Sequence, residues 1–201
     1  MLDECGEHFY PSLSMLKIGR EGTGMTTTAD GQLNEVDLGA VGALIGKIKE
    51  RPSAAATTWS AQVRWTGAFR SEATIRGFAP VASDEPKGLG GSDGAPNPVE
   101  QLLGALGNCL AVGYAANASA AGIEIRQLRI DLDGDLDLHT FLGLADGHAG
   151  FSAIRAAVHL DTDADEAAVA ELHRKVAATS PVGQTLSRAI PVEIGPAPAG
   201  G

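Results

Sequence analysis

The sequence predicts an α+β fold in which an antiparallel sheet packs one face against helices. The periodic segments follow the order helix, hairpin, helix, two strands, helix and strand, and they contain no internal repeat. Most of the strands alternate apolar and polar residues, which is typical of antiparallel strands with one covered face and one face in water. Because 44% of the residues are hydrophobic, the chain has enough apolar side chain to build a core.

An amphipathic helix and a β-hairpin open this predicted fold. Apolar residues recur at helical spacing over residues 35–51, and Pro52 follows at the point where a helix should have stopped. Two strand-like runs, TTWSAQVRW and RSEATIRGF, then meet around Gly67. Val63 and Trp65 alternate there with polar neighbours, which predicts a hairpin with one apolar face.

A long capped helix is predicted over residues 98–121. Asn97 fits the N-cap, Pro98 the first helical position and Glu100 the third position of a capping box, and Gly122 ends the helix. The loop before it is rich in glycine and proline. We interpret its GLGG segment as a turn, because the Lys-Ser/Thr ending of a phosphate-binding loop is missing.

Two strands, a helix and a last strand complete the predicted order. Residues 123–138 alternate over a long span and are expected to bend near Gly134, and FSAIRAAVHL supplies the next strand. Asp163 and Glu166 fit a capping box for the following helix. The apolar residues that this helix turns inward are Val169, Leu172 and Val176. AIPVEI closes the fold as a strand, and residues 195–201 are expected to form a disordered tail.

The net charge of the chain and its N-terminal residues indicate the cellular compartment and exclude two classes of partner. A formal net charge of −10 argues against nucleic acid and against an anionic membrane. The segment MLDECGEHFY lacks the features of a signal peptide, so a cytoplasmic protein with two reduced cysteines is expected. The polar run that begins at Met25 resembles a second chain start, which would make residues 1–24 an extension and leave Cys5 without a role.

No metal ion or other cofactor is expected from the residue pattern. The five histidines are scattered, without the spacing of a zinc site. DLDGDLD resembles a calcium loop, but its glycine is fourth rather than sixth, and Leu142 stands where the bidentate glutamate belongs. The absence of a GxSxG motif leaves a serine hydrolase without support.

Cys109 has two interpretations at this point. It shares a helical face with Leu102 and Leu106, and a lone cysteine on an apolar face is commonly an inert core residue. Nine residues of helix place it about 13 Å and half a rotation from Glu100, so these two side chains cannot touch within one chain. The helix also carries many small residues, which favours close packing against a second helix, for example from another subunit. These residues are Gly104, Ala105, Gly107, Ala111 and Gly113.

The motifs around Cys109 resemble those of the OsmC/Ohr family of osmotically inducible and organic-hydroperoxide-resistance proteins. DEPKGLGGSDGAPNPVEQLLGALGNCL is followed by SPVGQTL and by a final PVEI, in the order that this family has. The resemblance spans residues 59–194, which are expected to form an OsmC-like domain after an N-terminal extension with an arm helix over residues 1–58.

The resemblance implies a fold, an assembly and an activity. It implies an intertwined homodimer in which two central helices pack together and each sheet takes strands from both chains, with the active sites at that interface. Family peroxidases attack a hydroperoxide with a thiolate, resolve the sulfenic acid with a second cysteine and are reduced again by a dithiol. Cys109 matches the attacking position.

The sequence also departs from the family pattern at positions that matter for this activity. Ser180, followed by a proline, stands where the peroxidases carry the resolving cysteine, and Val99 matches the carboxylate that pairs with an activating arginine, with Glu100 one place later. Arg70 is the nearest match to that arginine, and Arg76 and Arg64 compete with it. Because Cys109 lies in the middle of its helix, such an arginine is needed to favour the thiolate.

Two functions therefore stay open on the sequence. The first is a hydroperoxide reductase that acts through Cys109 alone, with Arg70 or Arg76 as activator and an external thiol or dithiol as resolver. The second is an OsmC-like protein without catalysis, which binds a small apolar molecule or serves in stress while Cys109 is a core residue.

Overall fold

One long helix and two antiparallel sheets organise residues 32–197, the part of the chain that the computed structural model describes. The strands are β1 (Gln62–Gly67), β2 (Arg70–Thr74), β3 (Val81–Ser83), β4 (Ile125–Asp135) and β5 (Ala153–Thr162). The helices are α1 (Leu38–Glu50), α2 (Pro98–Ala121), α3 (Leu138–Phe141), α4 (Glu166–Thr179) and α5 (Pro181–Leu186). This mixture of helix and antiparallel sheet confirms the predicted class. The hypotheses about Met25 and Cys5 concern residues outside the described part.

Helix α2 begins and ends where the sequence predicts. The Asn97 side chain accepts a hydrogen bond from the Glu100 N–H at 2.9 Å, and the Glu100 carboxylate accepts one from the Asn97 N–H at 2.8 Å. Gly122 follows in the left-handed conformation, with φ of 73°, which a glycine adopts without steric cost. The capping box and the glycine stop are therefore confirmed.

The core lies between α2, α4 and the inner face of the β4–β5 sheet. Its fully buried members are Tyr114 and Ala118 from α2 and Leu172 and Val176 from α4. The partly buried residues packed against them include Leu128 and Ile130 of β4 and Val158 and Leu160 of β5. Helices α2 and α4 approach closely at Gly113, where an added Cβ would lie 3.1 Å from Val176.

Strands β4 and β5 alternate between the core and water, as predicted. They pair antiparallel from Ile125 opposite Thr162 to Asp135 opposite Ala153, and the irregularity in the register lies between Ile125 and Gln127. At Gly134, where a bend was predicted, the missing side chain leaves room for the Phe151 ring, which an added Cβ would meet at 2.7 Å. The outer face carries ion pairs. These join Arg155 to Asp133 and Asp135, and beside them the His159 ring is hydrogen-bonded to Asp131 at 3.0 Å.

Three local predictions are wrong. The N-cap of α4 is Asp165, not Asp163, because the helix begins at Glu166 and the Asp165 carboxylate accepts from the Ala168 N–H at 2.8 Å. The long strand ends at Asp135, since the Asp137 side chain caps the short helix α3. AIPVEI forms no strand within residues 32–197, because no strand of the same chain pairs with it there.

The β1–β3 sheet stands apart from this core. Val63 lies opposite Ala73, and Ala73 lies opposite Val81, so these residues share one apolar face with Trp65. That face is in solvent, with Val63 65% and Trp65 71% exposed. The Trp65 indole N–H donates to the Ala68 carbonyl at 2.7 Å, which fixes the ring on the sheet. Strand β3, only three residues long, was not predicted.

Asn34 fastens the N-terminal arm to the C-terminal end of α2. Its side-chain amide donates to Ser119 Oγ at 3.0 Å and to the Ile123 carbonyl at 2.9 Å, and it accepts from the Ile125 N–H at 2.8 Å. Helix α1, which follows, matches the predicted arm helix and buries none of its residues. The predicted division of the chain at residues 58 and 59 stays a prediction.

Candidate functional site

A buried carboxylate organises the loop that leads into α2. Asp84 accepts backbone hydrogen bonds from Glu85, Ser92 and Gly94, and it also accepts one from the Ser92 hydroxyl. The Ser92 hydroxyl, followed by the Gly94 N–H, lowers the pKa of Asp84 from 3.8 to about 2. Only glycine fits at residue 91, because an added Cβ there would lie 1.8 Å from the Glu85 carbonyl oxygen. The loop is therefore a fixed support for the start of α2.

Cys109 lies half-buried on α2, and its sulfur meets a hydroxyl from a distant part of the chain. The Cys109 Sγ is 3.2 Å from the Ser180 Oγ, across 71 residues of sequence. This is hydrogen-bond distance for a sulfur atom. The structure thus brings together two of the residues that the sequence nominated for the site.

Ser180 is held in place by the two helices that it joins. Its backbone N–H donates to the Val176 carbonyl at the end of α4, and its Oγ accepts from the Gly183 N–H at 3.1 Å in the first turn of α5. The residue is 3% exposed. An added Cβ at Gly183 would lie 3.1 Å from the Ser180 Oγ, so this glycine keeps space around the hydroxyl. Ser180 consequently offers Cys109 a hydroxyl in a fixed position.

The contacts recorded for the three predicted arginines are with residues of the β1–β3 region. The Arg76 guanidinium stacks over the Phe78 ring, 4.7 Å from its centre. Arg70 extends over Gly67, where an added Cβ would lie 3.5 Å from one of its guanidinium nitrogens. Arg64 pairs with Glu72 at 2.9 Å. Within residues 32–197 of one chain, the polar side chain recorded beside the Cys109 sulfur is that of Ser180.

Glu100 and the small residues of α2 have distinct structural partners. Glu100 is engaged as the helix cap and borders a shallow apolar depression with Leu103 and Leu132. Gly107 admits Leu132, since an added Cβ would lie 2.8 Å from that side chain, whereas nothing lies within 4 Å of the same position at Gly104. Of these two small residues of α2, Gly107 therefore allows close packing within the chain, whereas the helix surface around Gly104 is uncovered.

The pair formed by Tyr114 and His173 could not be predicted from the sequence. The Tyr114 hydroxyl and the His173 Nδ1 are 2.6 Å apart beside the core, and burial raises the pKa of Tyr114. A histidine and a tyrosine 59 residues apart share no motif that would have identified them. Residues 32–197 contain no cluster of three histidine, cysteine, aspartate or glutamate side chains that could hold a metal ion.

The thiol of Cys109 on α2 and the buried hydroxyl of Ser180 thus meet on an α+β scaffold of antiparallel sheets. Residues 90–195, which hold both groups, match the family model described as OsmC-like protein. The chain therefore belongs to the OsmC-like protein family. A search of proteins with curated functions found no match.

Solved structures share the fold. An OsmC-like protein from Mycoplasma pneumoniae has a TM-score of 0.58 at 20% identity, with 65% of this chain and 88% of that chain covered. An OsmC-like protein of unknown function from Vibrio cholerae has a TM-score of 0.52 at 11% identity, covering 65% and 94%. A candidate organic hydroperoxide resistance protein from the same species, with captopril in one active site, has a TM-score of 0.50 at 14% identity, covering 65% and 86%. At these identities the likeness establishes the fold.

No helix within residues 32–197 combines the length and the apolar character that crossing a membrane requires.

Proposed function

We propose that this protein is a homodimeric, cytoplasmic hydroperoxide reductase that acts through Cys109 as its single redox cysteine. The observation that carries the proposal is the contact between the Cys109 sulfur and the Ser180 hydroxyl at 3.2 Å, inside the part of the chain that matches the OsmC-like family. The related Vibrio cholerae structure, a candidate organic hydroperoxide resistance protein, supports the choice of substrate class.

The first chemical step oxidises the thiolate of Cys109 by two electrons. The sulfur attacks the terminal oxygen of an organic hydroperoxide, the S–O bond forms as the O–O bond breaks, and the alkoxide leaves and takes a proton to become an alcohol. The sulfur retains the terminal oxygen as a sulfenic acid. The thiolate is the nucleophile in this step, which is why the groups around the sulfur decide its rate.

The second step requires thiols from outside the chain, since position 180 is a serine. One thiol of an external dithiol attacks the sulfenic sulfur, a mixed disulfide forms and water leaves. The second thiol of the dithiol then attacks that disulfide, which releases the Cys109 thiolate and the oxidised dithiol. Without such a reductant, further peroxide would drive Cys109 to the irreversible sulfinic acid.

Apolar surface that the described chain leaves uncovered supports the homodimer. The face of the β1–β3 sheet that carries Val63 and Trp65 is in solvent, as is Val112 on α2. The AIPVEI segment keeps the alternation of a strand, and its residues Ile190, Val192 and Ile194 are exposed. A second copy that covered the sheet and paired with this segment would bury these side chains, and apolar patches of this kind mark interaction sites.

The same assembly could bring a cation to Cys109, whose recorded polar contact in its own chain is the Ser180 hydroxyl. Arg70 begins β2 and Arg76 lies in the turn between β2 and β3, and the polar side chain recorded beside the Cys109 sulfur in its own chain is that of Ser180. If the partner subunit's sheet covers α2, one of these guanidinium groups can approach the sulfur and favour the thiolate. Glu100, engaged in its capping box, is expected to act on the helix rather than on the substrate.

One observation favours the second function, a binding protein without turnover. Cys109 lies half-buried on the apolar side of α2, and the residue beside it is a serine instead of a second thiol. A site of this kind could hold a small apolar molecule while the cysteine stays reduced.

Turnover of an organic hydroperoxide with a dithiol as electron donor separates the two functions. We expect the wild-type protein and Cys5→Ser to consume the peroxide at equal rates, and Cys109→Ser to be inactive. Equal rates for the wild type and Cys109→Ser would overturn the proposed reductase. Loss of activity in Cys5→Ser would instead show that a second cysteine takes part.

A further inference from the structure

The hydroxyl of Ser180 has one hydrogen, and the structure limits where that hydrogen can go. Its oxygen accepts the Gly183 N–H at 3.1 Å, so the capping bond of α5 uses a lone pair and leaves the hydrogen free. The Cys109 sulfur lies 3.2 Å from the same oxygen. Because Ser180 is 3% exposed, water has little access to this hydroxyl. The sulfur is thus the acceptor that the geometry offers.

The same pair can serve both protonation states of Cys109. A neutral thiol can donate its hydrogen to the second lone pair of the Ser180 oxygen, while an ionised sulfur can only accept. Rotation of the hydroxyl about its C–O bond is the only change that ionisation requires. Hydrogen bonds from neutral donors to a charged group are stronger than those between neutral groups, so the arrangement favours the ionised sulfur.

We propose that Ser180 is a positioning residue for Cys109, whose hydroxyl donates its hydrogen bond to the thiolate and holds the sulfur in its reactive orientation. The inference deepens the proposed reductase function and rests on it for its biological meaning. The capping bond from Gly183 orients the hydroxyl, and the α4–α5 junction fixes its distance from the sulfur. Ser180 therefore stands where family peroxidases carry the resolving cysteine, but its proposed role is to orient the Cys109 sulfur.

The experiment measures the rate at which iodoacetamide alkylates Cys109 as a function of pH, with the alkylated peptide identified by mass spectrometry. Ser180→Gly removes the hydroxyl while glycine keeps most of the capping preference, and Ser180→Thr keeps both hydroxyl and cap. Ser187→Ala is the matched control, because Ser187 follows the last residue of α5, whereas Ser180 precedes the first. Ser187 is exposed, and its hydroxyl donates to the Gly183 carbonyl. Thermal unfolding of each variant verifies that it is folded.

We expect Ser180→Gly to alkylate about tenfold more slowly near neutral pH, with the midpoint of its rate-versus-pH curve moved up by about one pH unit. Ser180→Thr and Ser187→Ala should follow the wild-type curve. A purely structural serine would change access to the sulfur, and hence the plateau rate, without moving the midpoint. An unchanged midpoint in Ser180→Gly, or an equal shift in Ser180→Thr, would overturn the proposal. Alkylation consumes no peroxide, so its outcome is separate from that of the turnover experiment.

Discussion

The two sheets of the chain differ in what covers their apolar faces. The β4–β5 sheet packs its inner face against α2 and α4, and Tyr114, Leu172 and Val176 are almost fully buried between them. The β1–β3 sheet turns Val63 and Trp65 to solvent, although these two residues also alternate with polar neighbours. This face of the β1–β3 sheet is therefore uncovered within residues 32–197 of one chain, and the proposed second copy is what we expect to cover it.

The difference also divides the groups of the proposed site. Cys109 and Ser180 lie on the covered side of the molecule, on α2 and at the α4–α5 junction. Arg70 begins β2 of the exposed sheet, and Arg76 lies in the turn between β2 and β3. The loop organised by Asp84 connects the two regions, because it follows β3 and ends at the cap of α2. In the proposed homodimer, a second copy that covered the sheet would bring these two regions together.

The largest effect is expected from emptying the covered core. Leu172→Ala should lower the free energy of unfolding by about 3 kcal/mol, because it removes a buried side chain and leaves a cavity. Urea denaturation measures the change. Leu144→Ala deletes the same atoms from a residue that is 73% exposed, and we expect it to cost about 0.5 kcal/mol or less. Equal costs at the two positions would mean that the core has been located wrongly.

A second, smaller effect is expected on the exposed sheet, and on association instead of folding. Trp65→Glu should weaken the proposed dimer by about 2 kcal/mol, a roughly thirtyfold higher Kd, because it places a charge at an aromatic anchor. Sedimentation over a range of protein concentrations measures this. Gln62→Glu adds the same charge to the opposite face of β1 and should leave association unchanged. A wild-type protein that stays monomeric at every concentration would contradict the proposal that a second copy covers the exposed sheet.

A third effect is expected at the loop that connects the two regions, and it depends on pH. Hydrogen bonds from Ser92 and Gly94 lower the pKa of Asp84 from 3.8 to about 2. The stability that the ionised Asp84 contributes is therefore fully present above the pKa of Asp84 in the unfolded chain. It is lost as the pH falls through the pKa of Asp84 in the folded protein. The difference in unfolding free energy between the wild type and Asp84→Asn should shrink between about pH 4 and pH 2. A difference that stays constant across this range would contradict the assignment.

Local rules predicted the elements whose stabilising partners are close in sequence. Asn97, Glu100 and Gly122 fixed the bounds of α2 because caps act within a few residues. The same rules chose Asp163 in place of Asp165, since both acids precede the helix and only the backbone turn decides between them. The regular alternation of β4 and β5 likewise predicted which of their faces is half-buried.

Contacts between distant parts of the chain were beyond these rules. AIPVEI has the alternation of a strand, but a strand also needs a neighbour, and residues 32–197 of one chain provide none. The three hydrogen bonds of Asn34 and the contact of Cys109 with Ser180 join residues far apart in sequence. Family resemblance nominated Cys109 and Ser180 separately. Their distance of 3.2 Å is what makes them one candidate site.

Chemical trapping of Cys109 after oxidation tests the central claim most directly. The protein is treated with one equivalent of an organic hydroperoxide in the presence of a sulfenic-acid trap, and its peptides are analysed by mass spectrometry. We predict an adduct on the peptide that contains Cys109, with loss of the peroxide and no adduct at that peptide in Cys109→Ser. An unmodified Cys109 peptide in the wild-type protein, with the peroxide left intact, would contradict the claim.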